Sequence, residues 1–250
     1  MDIATADRLI ALNNAFYRDN AASFSATRHG GWPGWERCME AARPVLAQRN
    51  AHVLDLACGN LRFARYLETC APQVSWKVHA VDSCDALVDP EAQAVFQCLD
   101  VLKAVQSGDE LASCIQGGPY DISACFGFMH HIPLPAWREQ VMGALIDKTR
   151  SGGFVFVSFW QFLNSAKLAE KAEVTTHQAL KELGNMELNA GDYLLGWQHE
   201  QHTYRYCHSF TGKEIDKLVK SALPRARLAD RFQADGKSGN LNSYAVLQVI

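Results

Sequence analysis

Apolar positions along the chain follow two rhythms. Five short, nearly unbroken apolar runs lie at 52–57 (HVLDLA), 76–82 (WKVHAVD), 94–100 (AVFQCLD), 120–126 (YDISACF) and 153–160 (GFVFVSFW). Such runs suit strands of a parallel sheet covered on both faces. Between them, RFARYLETC and AWREQVMGALIDKTR repeat their apolar residues at helical spacing, and TRSGG (149–153) reads as a helix stop and tight turn. The alternation predicts βαβ crossovers and an α/β, doubly wound sheet. ARLADRFQ and NSYAVLQVI, joined by the turn-rich ADGKSGNLN, predict a terminal hairpin. The expected sheet is therefore mostly parallel and seven-stranded, with one antiparallel strand in the C-terminal hairpin.

The rhythm divides a single domain into four stretches. Residues 1–49 form a helical cap, with FYRDNAASFSATRHGGWPGWERCMEAARPVL placed to lie across the cleft above the sheet. The core is expected over 50–160. After Trp160 the pattern turns polar and glycine-broken, so 161–210 is expected to be an acceptor-side insertion: one or two polar helices at 164–183, then an irregular strand or loop at TYRYCHSF (203–210). In 211–250, Thr211 with Glu214 three residues on signals a capped helix before the hairpin.

Composition narrows the field only slightly. The chain has 250 residues, 48% of them hydrophobic, which suits one compact α/β domain. A net charge of −3 gives no global pull toward nucleic acid or membrane. The eight cysteines include no C-x-x-C pair, so no metal site is expected. MDIATADRLIAL has no secretory pattern, and no stretch approaches the roughly 20 apolar residues of a membrane span. A reduced, cytoplasmic protein without a membrane partner is the expectation.

Candidate chemistry sits at the strand ends, where open α/β sheets bind ligands. The first strand leads into DLACGN, with Asp55, Ala57 and Gly59; the second ends at Asp82 and Ser83, the third at Asp100 and Val101, and the fourth at Phe126. A carboxylate after the second strand is placed to accept the hydroxyls of a ribose. A dinucleotide fingerprint needs three glycines for the pyrophosphate, whereas ACGNLR keeps only Gly59, with Leu61 where another glycine would stand. An acidic strand end beside a single-glycine turn fits a cofactor with cationic groups, which points to S-adenosyl-L-methionine (SAM).

VLDLACGN, AVDSCD, CLD, YDISACFGFMHHI and SGGFVFVSF resemble the class I SAM-dependent methyltransferases over 50–160. A narrower likeness reaches beyond that core. FSATRHGGWP, DSCDALV, FMHHI, GDYLLGW and YRYCHSF resemble, in order, elements of the tRNA wobble-uridine carboxymethyl methyltransferases. That resemblance implies a carboxylate acceptor on tRNA. Relatives of this type can require a small zinc-binding activator subunit. Leu61 and LLGW depart from the family pattern.

No N-P-P-[YF] follows the fourth strand; FMHHIP offers His130 and His131 instead. The expected catalytic set is His130, Arg205, Tyr206 and His208, with Arg205 as a bidentate anion clamp. Arg28 is expected to close over the cofactor carboxylate or the acceptor, with Trp32 as an apolar wall. A methyltransferase for a small acid or another small molecule is the alternative, followed by a non-catalytic binding module. An NAD-dependent dehydrogenase is least favoured, for want of glycines.

Overall fold

In a computed structural model, the chain is described at every residue except His29, Pro90 and His199. His29 falls inside the TRHGGWP stretch and so lies outside the described residues. The strands are β1 (Asn50–Leu56), β2 (Ser75–Asp82), β3 (Ala94–Cys98), β4 (Tyr120–Cys125), β5 (Thr149–Trp160), β6 (Asp192–Gly196), β7 (Tyr204–His208), β8 (Ala226–Ala234) and β9 (Asn242–Val249). The helices are α1 (Ile3–Ser25), α2 (Pro33–Ala41), α3 (Arg43–Leu46), α4 (Arg62–Cys70), α5 (Val101–Gln106), α6 (Leu111–Cys114), α7 (Pro135–Asp147), α8 (Ala166–Leu183) and α9 (Gly212–Ala222).

Seven strands form one sheet in the order β3-β2-β1-β4-β5-β9-β8. The β1–β2, β2–β3, β1–β4 and β4–β5 pairs are parallel, while β9 runs antiparallel to both β5 and β8. The expected sheet is the observed one. Side chains of a strand alternate between faces, and the core divides accordingly. Leu54, Leu56, Val155 and Val157 pack with Val141 and Leu145 of α7 and Leu218 of α9. Val53, Phe154, Phe156 and Tyr244 pack on the other face with Trp35 of α2 and Phe63 of α4. Gly34, in the first turn of α2, lets that helix meet the sheet, since a Cβ there would stand 2.3 Å from the Tyr244 ring.

Three expectations shift at their edges. The third strand stops at Cys98, because Asp100 becomes the N-cap of α5 and accepts from Lys103 N. The fifth begins at Thr149, so TRSGG opens that strand across a register shift opposite Tyr120 and Ile122. TYRYCHSF contains a regular strand, β7, paired antiparallel with β6 in a small second sheet. That sheet packs against α8 and, through Tyr204 and Tyr206, against Leu9 of α1. The α9 capping box forms as the Thr211–Glu214 spacing predicts. Among the described residues no helix is long and apolar enough to cross a membrane.

Candidate functional site

The strand order reverses between β1 and β4, and a cavity of 730 Å³ opens there at the carboxyl ends of the strands. Its floor is the turn after β1. Ala57 and Leu61 both adopt left-handed backbone, at φ 60° and 59°. Gly59, at φ 52°, faces open space where its Cβ would be. Gly59 N donates to Asp82 Oδ2 and Cys84 N donates to Asp82 Oδ1, each at 2.9 Å. The Asp82 carboxylate is thus fixed by two backbone donors, with lone pairs left over for a ligand. Burial raises its pKa, opposed by the N–H groups of Cys84 and Gly59.

Asp100 Oδ1 caps α5, and its Oδ2 accepts from Asn14 Nδ2 of α1 at 3.1 Å. Ser83, Val101 and Phe126 also line the cavity. Asp55 does not: it lies beneath the turn, 3% exposed, with Oδ2 unpartnered. Burial, helped by the charge of Asp82, pushes its carboxyl up to about 7. A cavity with fixed acids and an open single-glycine turn fits a cofactor that carries cations and a ribose.

Cations line the cavity as well. Arg28, Arg62 and Arg205 all line it, and none forms an ion pair with a carboxylate among the described residues. Burial lowers the pKa of Arg62 to about 10, with the charges of Arg28 and Arg65 adding to it. Arg28 is lowered too, by burial and by Arg205. Arg205 is 7% exposed, and its Nε has no partner. Its Cζ lies 5.2 Å from the Phe16 ring, 5.3 Å from Trp197 and 6.0 Å from both Phe24 and Trp160. His130, also on the cavity, leaves Nδ1 unpartnered. Burial and the neighbouring charges of His131 and Arg205 hold its pKa well below the usual histidine range.

Tyr206 and His208 are corrected by the structure: they stand away from the cavity. On β7, Arg205 and Cys207 share one face while Tyr204, Tyr206 and His208 share the other. Tyr206 is fully buried, and its hydroxyl donates to Asp192 Oδ1 at 2.7 Å. His208 meets the same oxygen through Nδ1 at 2.7 Å and Glu214 Oε1 through Nε2 at 3.0 Å. Those contacts tie the β6–β7 hairpin to α9.

Residues the motifs do not single out complete the site. Asn13, Asn14, Tyr17 and Phe24 of α1 roof the cavity, and Trp160 closes it at the end of β5. The stretch expected across the cleft begins at Phe16, so it takes in Tyr17 and Phe24 as a segment without singling them out, and it leaves out Asn13 and Asn14. The ligating atoms of His130, His131 and Cys207 lie within 4.8 Å of one another. Both ring nitrogens of His131 already have hydrogen-bond partners, and Arg205 adds positive charge beside the trio. That cluster therefore reads as hydrogen bonding rather than metal ligation.

A family model described as a methyltransferase domain matches residues 35–222. Solved structures share the fold at low identity. A SAM-dependent methyltransferase from Methanosarcina mazei is 15% identical at TM-score 0.58, covering 88% of this chain and 99% of its own. The N-methyltransferase NodS from Bradyrhizobium japonicum, in complex with S-adenosylhomocysteine, is 10% identical at TM-score 0.54, covering 95% and 98%. A Burkholderia thailandensis 1,6-didemethyltoxoflavin-N1-methyltransferase, with its substrate and S-adenosylhomocysteine bound, is 18% identical at TM-score 0.53, covering 94% and 88%. No curated protein matches the chain by sequence.

Proposed function

The chain belongs to the methyltransferase domain family and is a class I SAM-dependent methyltransferase, and on that premise we propose that its acceptor is a carboxylate held by Arg205. One observation carries the reading. Arg205 is a buried guanidinium on the cavity wall, with an orphaned Nε and no carboxylate partner among the described residues. A buried cation is costly without a counter-charge. An acceptor anion supplies one, and a guanidinium matches a carboxylate in two-point geometry.

SAM supplies, when bound, a methyl group activated by a positive sulfur. Asp82 is placed for the ribose, with Ser83, Asp100, Val101 and Phe126 lining the same end and Asp55 beneath it. Arg28 lines the same cavity, within electrostatic reach of Arg205. A carboxylate needs no general base, so the chain's task is alignment: Arg205 holds one oxygen while the other faces the methyl carbon. Transfer would exchange the carbon–sulfur bond for a carbon–oxygen bond, giving a methyl ester and S-adenosylhomocysteine with no proton for the chain to move. His130, kept neutral by burial, offers a hydrogen bond without adding charge.

Among carboxylates, the carboxymethyl-uridine of a tRNA anticodon is the acceptor that the TR…WP and R-Y-x-H-x-F elements support. A cytoplasmic setting accords with eight free cysteines. A small organic acid is the second reading, favoured by the net charge of −3. The test is methyl transfer to carboxymethyluridine-bearing tRNA, with wild type and Arg205→Lys, with and without a zinc-binding activator. Methyl ester formation by wild type and its loss in Arg205→Lys, at unchanged S-adenosylhomocysteine affinity, is expected. Transfer to an amine or hydroxyl instead, or full activity in Arg205→Lys, overturns the carboxylate reading.

A further inference from the structure

Leu61 occupies left-handed backbone in the turn after β1, and its buried side chain packs in the cluster that holds Trp35 and Phe63. Its N–H donates to the Cys58 carbonyl at 3.1 Å, which closes the turn. This anchored residue has a side-chain donor on either side. Asn60 Nδ2 donates to the Arg28 carbonyl at 3.1 Å, and Arg62 Nη1 donates to the Gly30 carbonyl at 3.2 Å. Arg62 Cζ also lies 5.2 Å from the Trp32 ring. The turn that floors the cofactor cavity thus grips a second segment at Arg28, Gly30 and Trp32.

Asn60 is 8% exposed and, among the described residues, stands outside the cavity lining, whereas Arg28 and Trp32 belong to it. What Asn60 fixes is the backbone from which Arg28 projects. Arg28 Cζ lies 4.7 Å from the Phe24 ring, and Arg205 Cζ lies 6.0 Å from the same ring. Trp32 reaches across to the end of β4, where a Cβ on Gly127 would stand 3.1 Å from the indole. A residue of the cofactor turn therefore sets two groups that share the cavity with Arg205.

We infer that Asn60 is a positioning residue that couples the two ligand sites. With Arg62 it makes the cofactor turn and the segment carrying Arg28 and Trp32 move as one unit, so that a filled cofactor site sets Arg28 and Trp32 for the acceptor. Leu61 gives the unit a fixed base, where glycine would bring conformational freedom. Coupling of this kind is reciprocal, so a bound acceptor tightens the cofactor by the same factor. The acceptor half of the inference rests on Arg205 holding the acceptor anion; the tie between turn and segment does not.

The test uses the full chain and amide hydrogen exchange, with and without saturating S-adenosylhomocysteine. The reporters are the Thr27 and Arg28 N–H groups, which donate to the Phe24 and Ser25 carbonyls at 3.1 and 2.9 Å. S-adenosylhomocysteine is expected to slow both about tenfold in wild type and less than about twofold in Asn60→Ala, as for the loss of one hydrogen bond. The Gly59 N–H, bonded to Asp82, should exchange alike in both proteins. Arg62→Met cuts the companion bond, keeps the stem and should act in the same direction. Equal slowing in wild type and both variants, or none in wild type, overturns the tie. Faster exchange spread over Gly59 and β1 in the variants marks general loosening and also overturns it. With the nucleoside 5-carboxymethyluridine as acceptor probe at saturating SAM, KM should rise about tenfold in Asn60→Ala while kcat stays within about twofold. An equal KM overturns the coupling to the acceptor and leaves the carboxylate reading standing. If wild type ignores the probe while the exchange result holds, the tie stands and the carboxylate reading falls.

Discussion

The Tyr206 hydroxyl donates to Asp192 Oδ1 at 2.7 Å on the face of β7 turned away from the cavity. Asp192 is 5% exposed and also meets His208 Nδ1 and the Asn189 N–H. Tyr206→Phe removes one donor from a buried carboxylate. Stability should fall by about 1–3 kcal/mol, the usual penalty for such a loss, with S-adenosylhomocysteine affinity unchanged. Urea denaturation and calorimetry on the same variant check both halves. A stable variant with weakened cofactor binding would contradict this assignment.

Asp82 is expected to hold the ribose. Asp82→Ala removes the acceptor of the Gly59 and Cys84 N–H groups as well as the ligand's. S-adenosylhomocysteine binding should weaken by about 1.5–3 kcal/mol, the range for a hydrogen bond to a charged group. Unchanged affinity in calorimetry would reduce Asp82 to a brace for the turn.

Leu61 stands at φ 59° with its side chain 1% exposed. Left-handed backbone costs an ordinary residue about 1–2 kcal/mol, while the buried side chain contributes more. Leu61→Gly relieves the first term and loses the second, for a net cost of about 2 kcal/mol. Leu61→Ala keeps the strain and should cost about 1 kcal/mol more. Denaturation midpoints that place alanine above glycine would show that the backbone is unstrained.

Asp55 gives a pH signature. Its native pKa, about 7, lies above the ordinary aspartate value of 3.8. Between those limits the folded state binds more protons than the unfolded, so this group's contribution to stability falls as pH rises from about 4 to 7. His131, lowered to about 3, acts in the opposite sense over about 3 to 6.5. Wild type and Asp55→Asn share the histidine contribution, so it cancels in their difference. The variant should gain on wild type by up to roughly 4 kcal/mol across the window. Parallel stability profiles in urea at pH 4.5 through 7.5 would rule this out.

The sheet and the acidic half of the cavity were legible because each strand, its terminal acid and the following turn lie within a few consecutive residues. Asp82 and Asp100 could be read that way. TYRYCH was read as one cluster of donors, although a strand sends Arg205 and Tyr206 to opposite faces. Tyr17 and Asn13 were not legible as site residues. Their partners, His131 and Tyr206, are far along the chain, and no local pattern records such a contact.

Asn13 and Asn14 are neighbours on α1, about 100° apart around the helix. Asn13 grips the backbone N–H and carbonyl of Tyr206, while Asn14 grips Asp100. The spacing between the two halves of the cavity is therefore gauged by a single peptide unit rather than by the breadth of the sheet. A tilt of α1 works as a lever with two adjacent pins: whatever displaces Asp100 is felt at once by the strand that carries Arg205.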